Sequence, residues 1–236
     1  MEALVGLVGS LPPAFPHAML VVLHVSPTGT SVLPTILARA CSLPVRAPAD
    51  GEPLRAGHVY VAPPDVHLVV DDAKLHLSRT PRENGHRPAI DPTMRTAAAA
   101  YGAGTIGIVL TGARHDGTAG LMAIKAAGGT AIVQDPDEAL HPAMPLSAIA
   151  HLTPDAVLPI GAMAAWIVEH VRGRGPTPDE DDPGAMAKRS AGRALGGDRV
   201  RGAESFERRA GEADRVRMAR DVTERTSGDQ AMAADS

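Results

Sequence analysis

The chain has 236 residues, 44% of them hydrophobic, 21% charged and 2% aromatic, with a formal net charge of −4. This is the composition of a globular protein, and the length fits one large domain or one domain with a tail. It excludes a basic, aromatic-bearing surface for nucleic acid, and with no apolar run long enough for a bilayer and no basic region in its start, Met1-Glu2-Ala3-Leu4, it points to a cytoplasmic protein without membrane insertion.

From the N-terminus, Leu4, Leu7, Val8 and Leu11 recur at helical spacing, and Pro12-Pro13 closes that helix. Ala18 to Val25 (AMLVVLHV) is an unbroken apolar run, the pattern of a buried parallel strand. Thr30 to Ala40 follows as a helix with Val32, Leu33, Ile36 and Leu37 on one face. Near its end stands Cys41, the lone cysteine, which can form no internal disulfide and is expected as a small buried hydrophobe. Val59 to Ala62 and His67 to Val70 read as strands, and Lys74 to Ser78 pairs back as a hairpin. Asp91 to Tyr101 is a predicted helix, with Asp91 as its cap and Pro92 at its first position. Thr105 to Leu110 is a second buried strand, and Thr118 to Ala127 a helix stopped by Gly128-Gly129. A short strand at Thr130 to Val133, a helix at Pro145 to Leu152, an edge strand at Val157 to Ile160 and a helix at Ala162 to Val171 complete the series.

This alternation predicts an α/β fold: three layers, doubly wound and Rossmann-like, a mostly parallel sheet with helices on both faces. Residues 1–172 form the predicted domain. Residues 173–236, rich in Arg, Ala, Gly and acidic residues but poor in large apolar ones, read as a mostly disordered charged tail, with a possible solvated helix over Ala203 to Thr223.

Sites in such sheets lie at the carboxyl ends of the strands. Two strand ends carry titratable groups: His24 after the first apolar run, and Asp116 in Thr111-Gly112-Ala113-Arg114-His115-Asp116-Gly117 after the second. A histidine moves protons near neutral pH, and a buried carboxylate can fix its tautomer, so the two form a plausible base and orienter. On spacing alone the alternative stays open: a satisfied polar residue at a strand end and a turn or cap aspartate. The glycines of the 111–120 loop fit neither nucleotide-binding signature. His58, His67, His76 and His86 are spread without metal-ligand spacing, so no metal and no cofactor are expected. Asn84-Gly85-His86-Arg87-Pro88 places a polar, cationic cluster before a helix and reads as a helix-leading turn.

Several segments, taken in order, resemble the catalytic domain of the protein-glutamate methylesterases, the CheB family. LHVSPTG is similar to its Q-H-x-P-x-G segment, and DGEPLRAGHVYVAPPDVHLVV to its D-G…G-x-x-Y-I-A-P-x-x-x-H segment. NGHRPAID is similar to R-H-R-P-S-V-D, IGIVLTGARHDGTAGLMAIKAAGG to V-x-V-I-L-T-G-M-G-x-D-G-x-x-G, and AIVQDPDEALHPAMPLSAI to the segment ending M-P-x-x-A. The resemblance runs from Met1 to about Val171. It implies a Ser-His-Asp site in which His24 and Asp116 take the histidine and aspartate positions. It also implies hydrolysis of glutamyl methyl esters on methyl-accepting chemoreceptor helices, with glutamine deamidation at the same sites.

The family's serine lies in G-A-S-x-G-G directly before a helix starting x-E-A-L, a start that Met1-Glu2-Ala3-Leu4 occupies here. The resemblance therefore implies that the first strand and the serine loop are missing from this sequence and belong upstream of Met1. Two explanations stand: a start assigned too late, or a real truncation that leaves an inactive remnant. Ser10 follows the helix, and Ser26 does not hold the nucleophile position. At Ala113-Arg114-His115 the family commonly has Met-Gly-Asn, a departure in the loop that carries Asp116.

Overall fold

The computed structural model describes residues 1–29 and 31–172. The predicted tail at 173–236 lies outside the described residues.

Two three-stranded parallel sheets organise the domain. In the first, β4 (Val59–Val61) is flanked by β1 (Met19–Val21) and β2 (Val45–Arg46). In the second, β8 (Thr130–Gln134) is flanked by β7 (Ile106–Val109) and β9 (Ala156–Leu158). A third, antiparallel sheet holds β3 (Glu52–Pro53), β6 (Lys74–Ser78) and β5 (His67–Asp71). The β5–β6 connection is a two-residue turn with Asp72 and Ala73 both at positive φ, 46° and 62°, as a right-twisted hairpin requires.

Strand periodicity builds the layers, because successive side chains point to opposite faces. Val59 and Val61 enter one core with Ile132 of the second sheet, Leu7 and Val8 of α1 (Glu2–Gly9), Leu33 and Leu37 of α2 (Leu33–Ala40), and Met163 and Ile167 of α6 (Ile160–Val171). Tyr60, between the two valines, points the other way, into a core with Leu68 and Leu75 that Ala97 and Tyr101 of α3 (Ile90–Tyr101) pack against. Ala131 and Val133 likewise meet Leu121 of α4 (Thr118–Ala126) and Met144 and Ala148 of α5 (Ala143–His151). Helices thus cover both faces of the parallel sheets, and the doubly wound α/β expectation holds.

Several expected boundaries move. The apolar run from Ala18 to Val25 contributes only Met19–Val21 as ladder, and residues 22–25 run on without a strand partner. The second helix starts at Leu33 rather than Thr30, with Pro34 in its first turn, where its missing N–H costs nothing. Cys41 is half-buried rather than buried, and its Sγ accepts the Leu43 N–H at 3.3 Å.

Candidate active site

His24 follows β1 and Asp116 follows β7, so both stand beyond carboxyl ends of parallel strands. Their side chains meet, with 2.6 Å between His24 Nε2 and Asp116 Oδ2. Asp116 is 1% exposed. Burial alone would raise its pKa, but the hydrogen bonds from His24, the Ile90 amide, Asn84 and the Asp91 amide outweigh it and hold Asp116 at about 2. An ionised carboxylate only accepts hydrogen bonds, so the proton between the two residues sits on His24 Nε2. The Nδ1 atom is then the basic nitrogen.

The caps explain why Asp116 sits so rigidly. The Ile90 and Asp91 amides at the start of α3 donate to Asp116 Oδ2 and Oδ1 at 2.7 and 3.2 Å. The Gly117 and Gly120 amides at the start of α4 donate to Asp91 Oδ1 at 2.9 and 2.7 Å. Each aspartate therefore caps the other's helix, and Asn84 Nδ2 donates to both carboxylates at 2.8 Å. The predicted role of Asp91 as cap of its own helix is overturned: α3 has no side-chain cap of its own at Ala89. Two buried carboxylates this close repel, and burial together with the charge of Asp116 raises the pKa of Asp91.

Because Asp116 titrates lower in the folded protein than its ordinary 3.8, it stabilises the fold above about pH 4. That contribution, on the order of 2 kcal/mol, disappears as the pH falls toward 2. Asp91 works in the opposite sense and softens the loss. Denaturant titrations between pH 7 and pH 2.5 should show the wild type losing stability more steeply below pH 4 than Asp116→Asn.

Gly117 joins Asp116 to α4 at φ 92°. A Cβ there would lie 2.8 Å from Val109 Cγ2 and 3.2 Å from Ile90 Cγ2. Backbone strain and overpacking coincide, so Gly117→Ala should cost about 2 kcal/mol or more in chemical denaturation.

Spacing alone did not assign two of the site's residues. His86 stacks on His24, with ring centroids 3.8 Å apart and planes at 7°. Burial, and then the charge of His24, lower its pKa. Asn84 bridges the aspartates from a backbone at φ 54°. Both belong to the polar segment expected to be only a helix-leading turn, and their polarity before an apolar helix was the available signal. Arg87, in the same segment, is spent on Asp65, donating from Nη2 at 2.7 Å and Nε at 3.1 Å.

The other histidines considered for metal have separate duties. His67 Nε2 donates to the Pro81 carbonyl while its Nδ1 accepts the Ala89 amide. His58 Nδ1 donates to the Ala56 carbonyl, and His76 lies 3.4 Å from Asp50. Among the described residues no three His, Cys, Asp or Glu side chains converge as a metal-holding group, and no helix is long and apolar enough to cross a membrane.

The sequence model of the CheB methylesterase family matches residues 1–167. A protein of Paramagnetospirillum magneticum named protein-glutamate methylesterase/protein-glutamine glutaminase 1 is 40% identical over 150 residues, which are 62% of this chain and 39% of that protein. A namesake from Rhodospirillum rubrum is 36% identical over 155 residues, 64% of this chain and 40% of its own length. The chain thus spans about two fifths of these curated relatives. The crystal structure of the Thermotoga maritima CheB methylesterase catalytic domain superposes with a TM-score of 0.69 at 35% identity, covering 72% of this chain and 92% of that one. The matched model, the fold and the order of its motifs agree, and the chain belongs to the CheB methylesterase family, whose members are hydrolases.

Proposed function

We propose that the chain carries the histidine and aspartate of a protein-glutamate methylesterase acting on methylated chemoreceptor helices in the cytoplasm. The observation that carries this reading is the pair His24–Asp116 at two parallel strand ends, with Asp116 ionised and His24 Nδ1 left basic. In the hydrolysis a serine hydroxyl attacks the ester carbonyl, and His24 Nδ1 takes its proton and then returns it to the departing methanol. Asp116 holds the ring and stabilises the imidazolium. Water next cleaves the acyl-enzyme by the same proton route and leaves a glutamate. The usual sense of such a triad has Nδ1 on the carboxylate, so this ring would serve in the reverse orientation. The relatives named above also carry the name of a glutaminase, and attack on a glutamine amide would follow the same steps with ammonia leaving.

The proposed reaction needs a serine beside His24. The 236 residues contain no Gly-Ala-Ser-x-Gly-Gly segment. Among the described residues Ser26 Oγ lies 3.0 Å from Thr28 Oγ1, and His24 makes its side-chain hydrogen bond with Asp116 alone. We place the nucleophile on a strand between β1 and β7. Each of those strands has one ladder partner, Ile106, Ile108 and Leu23 are only partly buried, and both sheets feed one core. Two strand spacings are about 10 Å, a gap that a histidine and an aspartate reaching toward each other close. The same observation favours a second reading: without a serine the chain would be a non-catalytic, receptor-binding remnant.

Methanol release from a methylated receptor separates the two readings. The gene translated in frame upstream of Met1 should supply a Gly-Ala-Ser-x-Gly-Gly segment, and the protein that includes it should release methanol while residues 1–236 alone do not. If no such segment is encoded, the enzyme reading fails.

A further inference from the structure

The ester consumed in the proposed reaction is uncharged, yet the rim beside His24 is cationic. Much of the positive charge nearby is already paired. Arg87 and Arg79 both bind Asp65, at 2.7 and 3.0 Å, and Arg95 Nη2 lies 2.8 Å from both oxygens of Glu83. Arg82 and Arg114 have no ion-pair partner among the described residues, and both are exposed. They border His86: burial and the charge of His24 lower its pKa, Arg114 and Arg82 push the same way, and Asp116 opposes them. A Cβ built on Gly85 would lie 3.3 Å from Arg114 Nη1, so the guanidinium rests over the residue next to the ring stacked on His24.

Arg114 holds this place on unfavourable backbone. Its φ is 67°, in the left-handed region that glycine enters freely and an L side chain does not. A side chain kept where glycine would fit more easily, and directed to the rim of the site, motivates a functional role.

We propose that Arg114, together with Arg82, is a specificity determinant that accepts a carboxylate lying beside the glutamyl methyl ester on the substrate chain. The inference rests on the hydrolase reading and names the substrate that reading would favour: an ester flanked by an acidic residue. Exposed guanidiniums steer and hold such a group mainly by long-range attraction, which salt screens.

Two synthetic peptides test it, identical except for the residue after a glutamyl methyl ester, glutamate in one and glutamine in the other. Fluorescence anisotropy with the 236-residue chain should show the glutamate peptide bound about five- to tenfold more tightly at low salt, with the preference shrinking below about twofold at roughly 0.5 M salt. Arg114→Gly should abolish the preference without lowering the melting temperature, since it relieves backbone strain, whereas Arg114→Lys should keep most of it. Equal binding of both peptides by the wild type, or a preference that survives Arg114→Gly, overturns the assignment of Arg114 and leaves the hydrolase reading standing. Binding of neither peptide overturns this proposal as well, while methanol release by the serine-bearing protein decides the hydrolase reading separately.

Discussion

His24→Ala should lower methanol release from a methylated receptor by roughly 10⁴-fold or more in the serine-bearing protein, with little change in receptor affinity. The size follows from what the ring does. In the proposed reaction it is the proton acceptor for the nucleophile and the proton donor to the leaving group, and no other described side chain is hydrogen-bonded to Asp116 in a way that could replace it. Asn84 also reaches Asp116, but an amide has no basic nitrogen. His86 lies against the face of His24 and not between it and the carboxylate, so it cannot inherit the hydrogen bond without a rearrangement. The fold should tolerate the change, because His24 is partly exposed, with 21% side-chain accessibility, and is no structural keystone of the cores. Rates within a factor of ten of wild type would remove His24 from the mechanism.

The second large effect concerns stability. Asp116→Ala should destabilise the domain by about 3–5 kcal/mol, a fall of roughly 10 °C in melting temperature. The carboxylate accepts the amides of Ile90, Asp91 and Gly117, together with Asn84 and His24. Alanine would leave the amides of Ile90 and Asp91 at the start of α3 without an acceptor, while Gly117 would keep only Asp91. It would also remove the negative charge that both helix N-termini face. Asp116→Asn separates this structural duty from the chemical one. One oxygen remains for the amides, so the stability loss should be smaller. The new NH₂ group, however, would face N–H donors, and His24 would have to present an acceptor and take the other tautomer. Activity should therefore fall about as far as in an aspartate-to-asparagine triad variant, on the order of 10⁴-fold, while melting drops by only a few degrees. If Asp116→Asn melts as low as Asp116→Ala, charge rather than acceptor geometry holds the two helix starts.

Much of this could be read from the chain itself. The apolar runs around Leu20, Ile108 and Ile132 and the helical spacing between them determine layers and sheet type, because burial on both faces of a parallel strand leaves no room for alternation. The switch-point rule and the family motifs both led to His24 and Asp116, since strand ends are where the backbone stops and side chains gain access to solvent. Composition limited the partners, because charge and aromatic content are additive properties that need no coordinates.

Tertiary structure decided what depends on juxtaposition. Asp91 reads locally as a cap for its own helix, yet it caps α4 while Asp116 caps α3. A cap needs only an amide within reach, and which amides are within reach depends on how α3 packs on α4. Asn84 and His86 looked like turn residues because their partners lie 32 positions away at Asp116 and 62 away at His24. The proton's place on Nε2 follows from the ionisation of Asp116, which is set by converging hydrogen bonds and not by residue type. Sequence alone determined the scaffold, because layers follow from local periodicity, and it pointed to the two strand-end residues through strand termination and the family resemblance while leaving their role open. Their tautomer, the crossed caps and the cationic rim around Arg114 were decided only where distant segments meet.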